Sequence, residues 1–414
     1  MFVAMKSIPV QHRDLIHDVA YDSYGKRLAT CSSDQTVKVW DLDSDGEWKL
    51  TCSWRAHNGS IWRLAWAHPE FGQILATCSF DRSVCIWEEV TTTAPSAGVG
   101  VASIGIGGGG SGGRPLTTTT FEKRAHLVES ALSVTGIQFA PRHVGLQLGT
   151  CSNDGYLRIY QFSDIMQISQ VSLYCEAIHT KMKNCSCIAW SQSRLHPTLI
   201  AAGCSDAGAT DAACKDSFQV YELQEDSRKF AKVESVVLPK PDTGVNDLQF
   251  APSLGRSFHL LAVASQQISL YKLRLSTGGQ QQQQQSGGML LQASQSSSSL
   301  DVGSSSGSTG RYALSCIRIL EYQRCQMSVW RLSWNVLGTV LASSLEDGTV
   351  RLWQGNYADQ WKCLTVMTPS GDSHTASSTD LSQQQQQQQI PAQTTGVPFA
   401  KMGSIQGSHQ VVWN

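Results

Sequence analysis

Apolar and polar positions alternate with period two along much of the chain, in short runs that each end on an aromatic side chain. Runs closing on Tyr21, Trp66, Phe139, Trp190, Phe250 and Trp334 are followed by second runs closing on Trp40, Trp87, Tyr160, Tyr221, Tyr271 and Trp353. The separations are 19, 21, 21, 31, 21 and 19 residues, so six units share one internal ruler with a single insertion in the fourth. Alternation of this kind, rich in Val37, Val39, Val350 and Leu352 and bounded by Asp, Gly and Ser, predicts strands joined by tight hairpins. A recurring unit of this length predicts a repeat architecture and overrides the several-domain reading that the length alone would suggest.

The hairpin at the heart of the unit is nearly a fixed phrase. It reads "LATCSSDQTVKVW" from Leu28, "LATCSFDRSVCIW" from Leu75, "LGTCSNDGYLRIY" from Leu148 and "LASSLEDGTVRLW" from Leu341. Asp34, Asp81, Asp154 and Asp347 stand at its turn, and Trp40, Trp87, Tyr160 and Trp353 close its second strand. Aspartate suits such a turn because its carboxylate accepts backbone N–H bonds within the turn itself. The pattern weakens in the fourth unit, where Asp216 lies one residue closer to Tyr221. The fifth, "ASQQISLY", has no turn aspartate. His12 and His57 precede the first strand of the first two units.

These landmarks resemble the WD-repeat family, in which four strands make one blade of a β-propeller. The resemblance implies an all-β, six-bladed propeller. It also implies a buried hydrogen-bonded chain through His12, Asp34 and Trp40 in the first unit and His57, Asp81 and Trp87 in the second. The blades are expected near 10–55, 56–90, 121–175, 176–235, 236–275 and 311–367 within a propeller spanning 1–367. Three segments poor in core-forming residues flank or interrupt them: 91–120 (Gly and Thr), 276–310 (Gln and Ser) and 368–414 (Ser and Gln, with glutamine throughout 383–389). None offers enough apolar surface to offset ordering entropy, so all three are expected to be disordered, the first two between blades.

Composition narrows the chemistry. The chain is 41% hydrophobic, and its net charge of −1 gives no field to recruit nucleic acid or anionic lipid. The basic residues Lys123, Arg124, Lys229 and Lys232 are scattered without an aromatic ladder. The opening "MFVAMKSIPVQHRDL" lacks an apolar signal core, and no stretch approaches the ~18 apolar residues of a membrane span. A reducing compartment is therefore expected, with the thirteen cysteines acting as small hydrophobes rather than disulfides. Cys31 with His12 or His17 is a conceivable nucleophile and base. However, its repetition as Cys78 and Cys151 marks a strand position between sheets, and no enzymatic activity is expected. Cys185 and Cys187, one residue apart, are expected on one strand face and fall short of a metal motif. The run 107–113 lacks the Lys-Ser/Thr of a phosphate loop. No cofactor, metal or small-molecule substrate is expected.

Six units carry a consequence of their own, since many WD-repeat rings have seven blades. Either the ring closes with six, or it stays open and a partner supplies the missing piece. An open ring would present apolar flanks, here expected at Ile16, Val37 and Val39 of the first unit and Leu332, Val350 and Leu352 of the last. Strand addition by a partner would cover them. Trp62-Arg63 and Trp330-Arg331, residue types enriched at interface hot spots, are candidates for a peptide-reading rim, or for local stacking.

Beyond the repeat consensus, "DLIHDVAYD", "HPEFGQILATCSFD", "APSLGRSFHLLA" and "NVLGTVLASSLEDGTVRLW" are similar to the Seh-one family of WD-repeat nucleoporins, relatives of Sec-thirteen. That resemblance covers all six units and none of the three low-complexity segments. It implies a non-catalytic scaffold: an open propeller completed in trans by a blade from an α-solenoid partner. The implied settings are the Y-shaped complex of the nuclear pore, serving mRNA and protein transport at the nuclear envelope, and the GATOR assembly. In the latter a Mio-type subunit would donate the blade, and the complex would promote TOR signalling in response to amino acids at the cytoplasmic face of lysosomes. The alternative is a generic propeller reading a short peptide on its rim.

Overall fold

The computed structural model describes residues 8–94, 116–164, 167–206, 216–224, 226–236, 244–253, 255–275, 312–318, 328–356, 359–368 and 373–375. Its described strands form six antiparallel sheets in a propeller arrangement. Blade 1 contains β1 (Ile16–Tyr21), β2 (Arg27–Ser32), β3 (Thr36–Leu42) and β4 (Trp48–Arg55). Blade 2 follows with β5 (Ile61–Trp66), β6 (Ile74–Ser79), β7 (Val84–Ala94) and β8 (Leu116–Leu127). Blade 3 has β9 (Val134–Phe139), β10 (Gln147–Ser152) and β11 (Tyr156–Phe162), with β12 (Val171–Leu173) and β13 (Ile178–His179) both pairing with β11. Blade 4 comprises β14 (Cys185–Trp190), β15 (Leu199–Cys204), β16 (Phe218–Gln224) and β17 (Lys229–Val236). Blade 5 comprises β18 (Asp247–Phe250), β19 (His259–Ala264), β20 (Ile268–Leu275) and β21 (Tyr312–Arg318). Blade 6 holds β22 (Val329–Trp334), β23 (Val340–Leu345), β24 (Val350–Gly355), β25 (Trp361–Met367) and a short β26 (Ser373–Thr375) paired with β25.

Two boundaries differ from the expectation. β8 pairs with β7 along its whole length, from Val84–Leu127 to Ala94–Leu116, so the Gly/Thr-rich segment falls inside blade 2 rather than between blades. β21 pairs with β20 in the same way and places the Gln/Ser segment inside blade 5. Both insertions separate the third strand of a blade from its fourth. The fourth strand is an outer strand with a weak alternation, and an insertion ahead of it hides its membership. β26 likewise lies within the stretch expected to be wholly disordered. Of the segments expected to be disordered, 91–94 and 116–120 are strand instead, and 95–115, 276–310, 369–372 and 376–414 fall outside the described residues.

The hairpin turns follow the reasoning from aspartate. Asp34 Oδ1 accepts from the Thr36 amide at 3.0 Å, and Asp81 Oδ1 accepts from the Ser83 amide at 3.0 Å. Asp154 and Asp347 do the same for Tyr156 and Thr349. The next residue turns left-handed: Gln35 at φ 69°, Arg82 at 71°, Gly155 at 81° and Gly348 at 77°. Glycine carries this conformation freely in blades 3 and 6. In blades 1 and 2 a side chain bears a cost of about 1–2 kcal/mol, offset by the carboxylate's bonds.

Candidate functional site

Repeat symmetry assigns each strand position a direction around the ring. Ala29 and Val39 of blade 1 pack with Ile61, Leu64, Leu75 and Trp87 of blade 2 in one buried cluster. Ala76 and Ile86 of blade 2 pack with Val134, Ile137 and Leu148 of blade 3. Ile159 of blade 3 packs with Ile188 and Ile200 of blade 4, and Val220 of blade 4 with Leu248 and Leu261 of blade 5. Leu270 of blade 5 packs with Leu332 and Leu341 of blade 6. Five junctions thus each own a core built from two blades. The sixth cluster, Val350, Leu352 and Met367 with Val340, Ala342 and Leu364, is drawn from blade 6 alone.

A single position makes the contrast concrete. Ala29, Ala76, Ala201 and Ala262 occupy the second strand of blades 1, 2, 4 and 5, opposite Val39, Ile86, Val220 and Leu270, and all four are 0% exposed. Ala342 stands opposite Leu352 in blade 6 and is only partly buried. The direction that is filled by the next blade elsewhere meets no blade among the described residues here.

This directionality corrects the expected flanks. Val37 and Val39 face blade 2 and lie in the first shared core, because they hold the same repeat positions as Val350 and Leu352. Two blades cannot present the same positions to one gap. Leu332 faces blade 5 for the complementary reason. Of the six residues expected on the flanks, Val350 and Leu352 belong to the unshared cluster. Ile16 holds the position of Ile61, which faces the preceding blade, and is half-buried. On blade 1 that direction holds Leu28 and Trp40, equivalents of Leu75 and Trp87.

Trp40 belongs to a buried polar chain. In the neutral form of His12, its Nδ1–H donates to Asp34 at 2.9 Å and its Nε2 accepts from Thr30 Oγ1 at 2.9 Å; Trp40 Nε1 donates to that hydroxyl at 3.4 Å. Desolvation lowers the His12 pKa, partly offset by Asp34, which favours the neutral ring. Blade 2 repeats the arrangement, with His57 3.1 Å from Asp81 Oδ2 and 2.8 Å from Thr77 Oγ1, and Trp87 Nε1 donating to Thr77 at 3.0 Å. Burial works against ionisation of Asp34 and Asp81. Hydrogen bonds from Thr36, the Arg13 amide and His12, and from His57, Ser83 and the Asn58 amide, outweigh it and hold both carboxyls well below their usual range. Thr30 and Thr77 are the second-strand hydroxyls that the family resemblance implies without placing them at a residue. Blade 6 keeps only Trp353 Nε1 donating to Ser343 Oγ at 3.0 Å. In blade 3, Arg158 ion-pairs with Asp154 at 2.8 Å, and Tyr160 donates to Glu129 at 2.7 Å.

The candidate rim divides. Trp330 is 52% exposed. Trp62 is half-buried against His17, with ring centroids 4.6 Å apart. Arg63 and Arg331 point inward instead: Arg63 Nη2 donates to Asp247 of blade 5 at 3.1 Å, and Arg331 Nη2 donates to the His17 carbonyl at 3.1 Å. A β-bulge at Trp62 and another at Trp330 re-aim these neighbours. The arginines are therefore not rim groups.

The cysteine positions carry packing. Cys31, Cys78 and Cys151 are 0% exposed, and burial pushes all three thiols up, Cys78 to about 12. Cys31 Sγ lies 3.5 Å from the Ile61 carbonyl, while His12 and His17 are engaged by Asp34 and Thr30 and by Ser33. A bulge at Ser186 sends Cys185 into the blade 3–4 core and Cys187 into the blade 4–5 core, so they do not share a face. Among the described residues no three His, Cys, Asp or Glu side chains gather as metal ligands. Among the described cysteines an aromatic disulfide reagent should therefore react first at exposed Cys316 and not at Cys31, Cys78 or Cys151 in the native state, as peptide mapping of the labelled protein would show.

The comparisons agree with this geometry. The family model described as WD domain, G-beta repeat matches residues 5–41, 48–88 and 314–354. Nucleoporin SEH1 of Xenopus tropicalis is 43% identical over 374 residues, covering 90% of each chain. That of Danio rerio is 44% identical over 373 residues, covering 90% of this chain and 89% of its own. That of Homo sapiens is 41% identical over 373 residues, covering 90% of each. With a six-bladed propeller and relatives similar across nearly their whole length, the chain belongs to the nucleoporin SEH1 family of WD-repeat proteins.

Proposed function

We propose that the chain is a non-catalytic scaffold of the nuclear pore's Y-shaped complex, and that a blade donated by an α-solenoid partner fills the seam between blades 6 and 1. The observation that carries this reading is the unshared cluster of Val350, Leu352 and Met367, set against five junctions that each share a core. Val350, Leu352 and Met367 are 9%, 2% and 2% exposed, so the reading rests on the neighbouring blade that this cluster lacks among the described residues and not on an exposed apolar patch. Face packing suits it better than addition at the sheet edge, because β26 already occupies the outer edge of β25. The relatives' name, nucleoporin, supports location at the nuclear pore; a part in mRNA and protein transport is the role proposed with it.

The same seam accommodates a Mio-type subunit of a GATOR complex. On this reading one propeller serves two assemblies, the second promoting TOR signalling at lysosomes. Affinity purification of the full chain followed by mass spectrometry tests the proposal. An α-solenoid protein should co-elute at one-to-one stoichiometry, and a monodisperse chain without such a companion would refute it.

A peptide-reading rim retains one observation in its favour, the exposure of Trp330 at 52%. Trp330→Ala separates the readings. It abolishes partner recovery if the rim does the binding and leaves it intact if the seam does.

A further inference from the structure

The blades grip one another through a repeated polar contact near the centre of the ring. At the bulge of β9, Thr135 Oγ1 donates to the Cys185 carbonyl of blade 4, and at the bulge of β14, Ser186 Oγ donates to the Val245 carbonyl beside blade 5. At the matching place in blade 5, Asn246 Nδ2 donates to the Val329 carbonyl of blade 6 at 2.9 Å. Each contact runs from one blade to the start of the next blade's innermost strand.

Blades 1, 2 and 6 depart from this pattern: His17 bonds Ser33 of its own blade, and Trp62 and Trp330 stand at the bulges of blades 2 and 6. In blade 6 the contact passes to Arg331, whose Nη2 reaches the His17 carbonyl of blade 1 at 3.1 Å. Between blades 3 and 4, 4 and 5, and 5 and 6 a short hydroxyl or amide makes the contact beside a shared apolar core. Across the seam, where no such core exists among the described residues, a long guanidinium spans the distance.

What holds Arg331 in that direction is the arrangement of charge beside it. Asp247 is the natural partner for a buried guanidinium here, and it is 2% exposed. Its Oδ1 accepts from Arg63 Nη2, which arrives from blade 2, three blades away and so across the ring. Its Oδ2 accepts from the Leu332 amide at 3.0 Å. Asp18 Oδ2 accepts from the Leu64 amide at 3.0 Å. Asp247 is thus engaged at both oxygens and Asp18 at one; desolvation first, and then the nearby Arg63 cation, disfavour charge on Arg331, while the two carboxylates favour it. With Asp247 held by Arg63, the bond that Arg331 makes is to a backbone carbonyl.

We infer that Arg331 is the latch of the seam: its bond to the His17 carbonyl, enforced by the Arg63–Asp247 pair, fixes the aperture between blades 6 and 1. Arg331 acts as a positioning residue, setting the width of the slot into which a partner's blade fits. In its consequence this rests on the ring-completion reading above, but the latch belongs to the free chain and is measured there.

The test is a distance measurement on the full chain without any partner. Spin labels carried on ketone-bearing residues at exposed Asp45 of blade 1 and Lys362 of blade 6 avoid the native cysteines, and pulsed dipolar spectroscopy reads their separation. The expected result is a narrow distribution in the parent chain and a longer, broader one in Arg331→Gln. Arg63→Gln should do the same without touching Arg331, because it frees Asp247 to draw Arg331 off the carbonyl. A label pair across the blade 4–5 junction should stay unchanged in both. If either variant, folded by circular dichroism, keeps the parent distribution, the latch is refuted. If Arg331→Gln does not fold, Arg63→Gln alone decides. Failure to recover a partner, with the distances moving as expected, would overturn ring completion and leave the latch standing.

Discussion

Ala342→Glu is expected to leave a soluble, folded monomer and to abolish recovery of the partner proposed for the seam. Ala342 is partly buried and points toward the seam, so a glutamate there meets solvent in the free chain. In the complex it becomes an unpaired charge against an apolar face, at about 3 kcal/mol or more, which weakens binding over a hundredfold. The control is the same substitution at the equivalent repeat position of blade 2. Ala76→Glu buries its carboxylate at a site with 0% exposure, between blades 2 and 3, and should unfold the chain. Size-exclusion chromatography and circular dichroism of the two variants, followed by co-purification, check both halves. Equal effects of the two changes would mean that the blade 6 face is not free.

Thr77→Val should be the most costly conservative change among the polar positions. It keeps the shape of the side chain but strips His57 Nε2 and Trp87 Nε1 of their common partner, and both donors and acceptors there are buried. Leaving two such groups unsatisfied costs about 2–4 kcal/mol. Ser343→Ala removes the equivalent hydroxyl in blade 6, where only Trp353 depends on it, and should cost about 1 kcal/mol. Urea unfolding midpoints of the two variants give the comparison directly. A Thr77 hydroxyl that merely filled space would make the two midpoints alike.

Much of this architecture is legible in the residues themselves. The turn aspartates, the closing tryptophans and the constant spacing are local features, fixed by strand and turn chemistry within some twenty positions, so the blades could be counted. Less local features were not visible. β8 and β21 lie beyond long insertions, and an outer strand with one solvated face carries little alternation to reveal its blade. Periodicity tells which residues share a sheet face but not which neighbour that face meets. For this reason Val37 and Val39 were expected at the gap, yet they pack against blade 2. The inward turn of Arg63 depends on Asp247, 184 residues away in the chain, and on a bulge that no pattern announces.

The constant direction of packing has one more consequence. Blade 6 presents its Ala and Val positions to the seam, while blade 1 presents the opposite set, so the two ends of the blade series are unlike. Unlike ends make a head-to-tail junction: two copies joined there would each still carry an unfilled end. Such contacts extend into filaments rather than closing into pairs. A partner that occupies the slot from both sides therefore also terminates growth, and the chain without it should be prone to open-ended association.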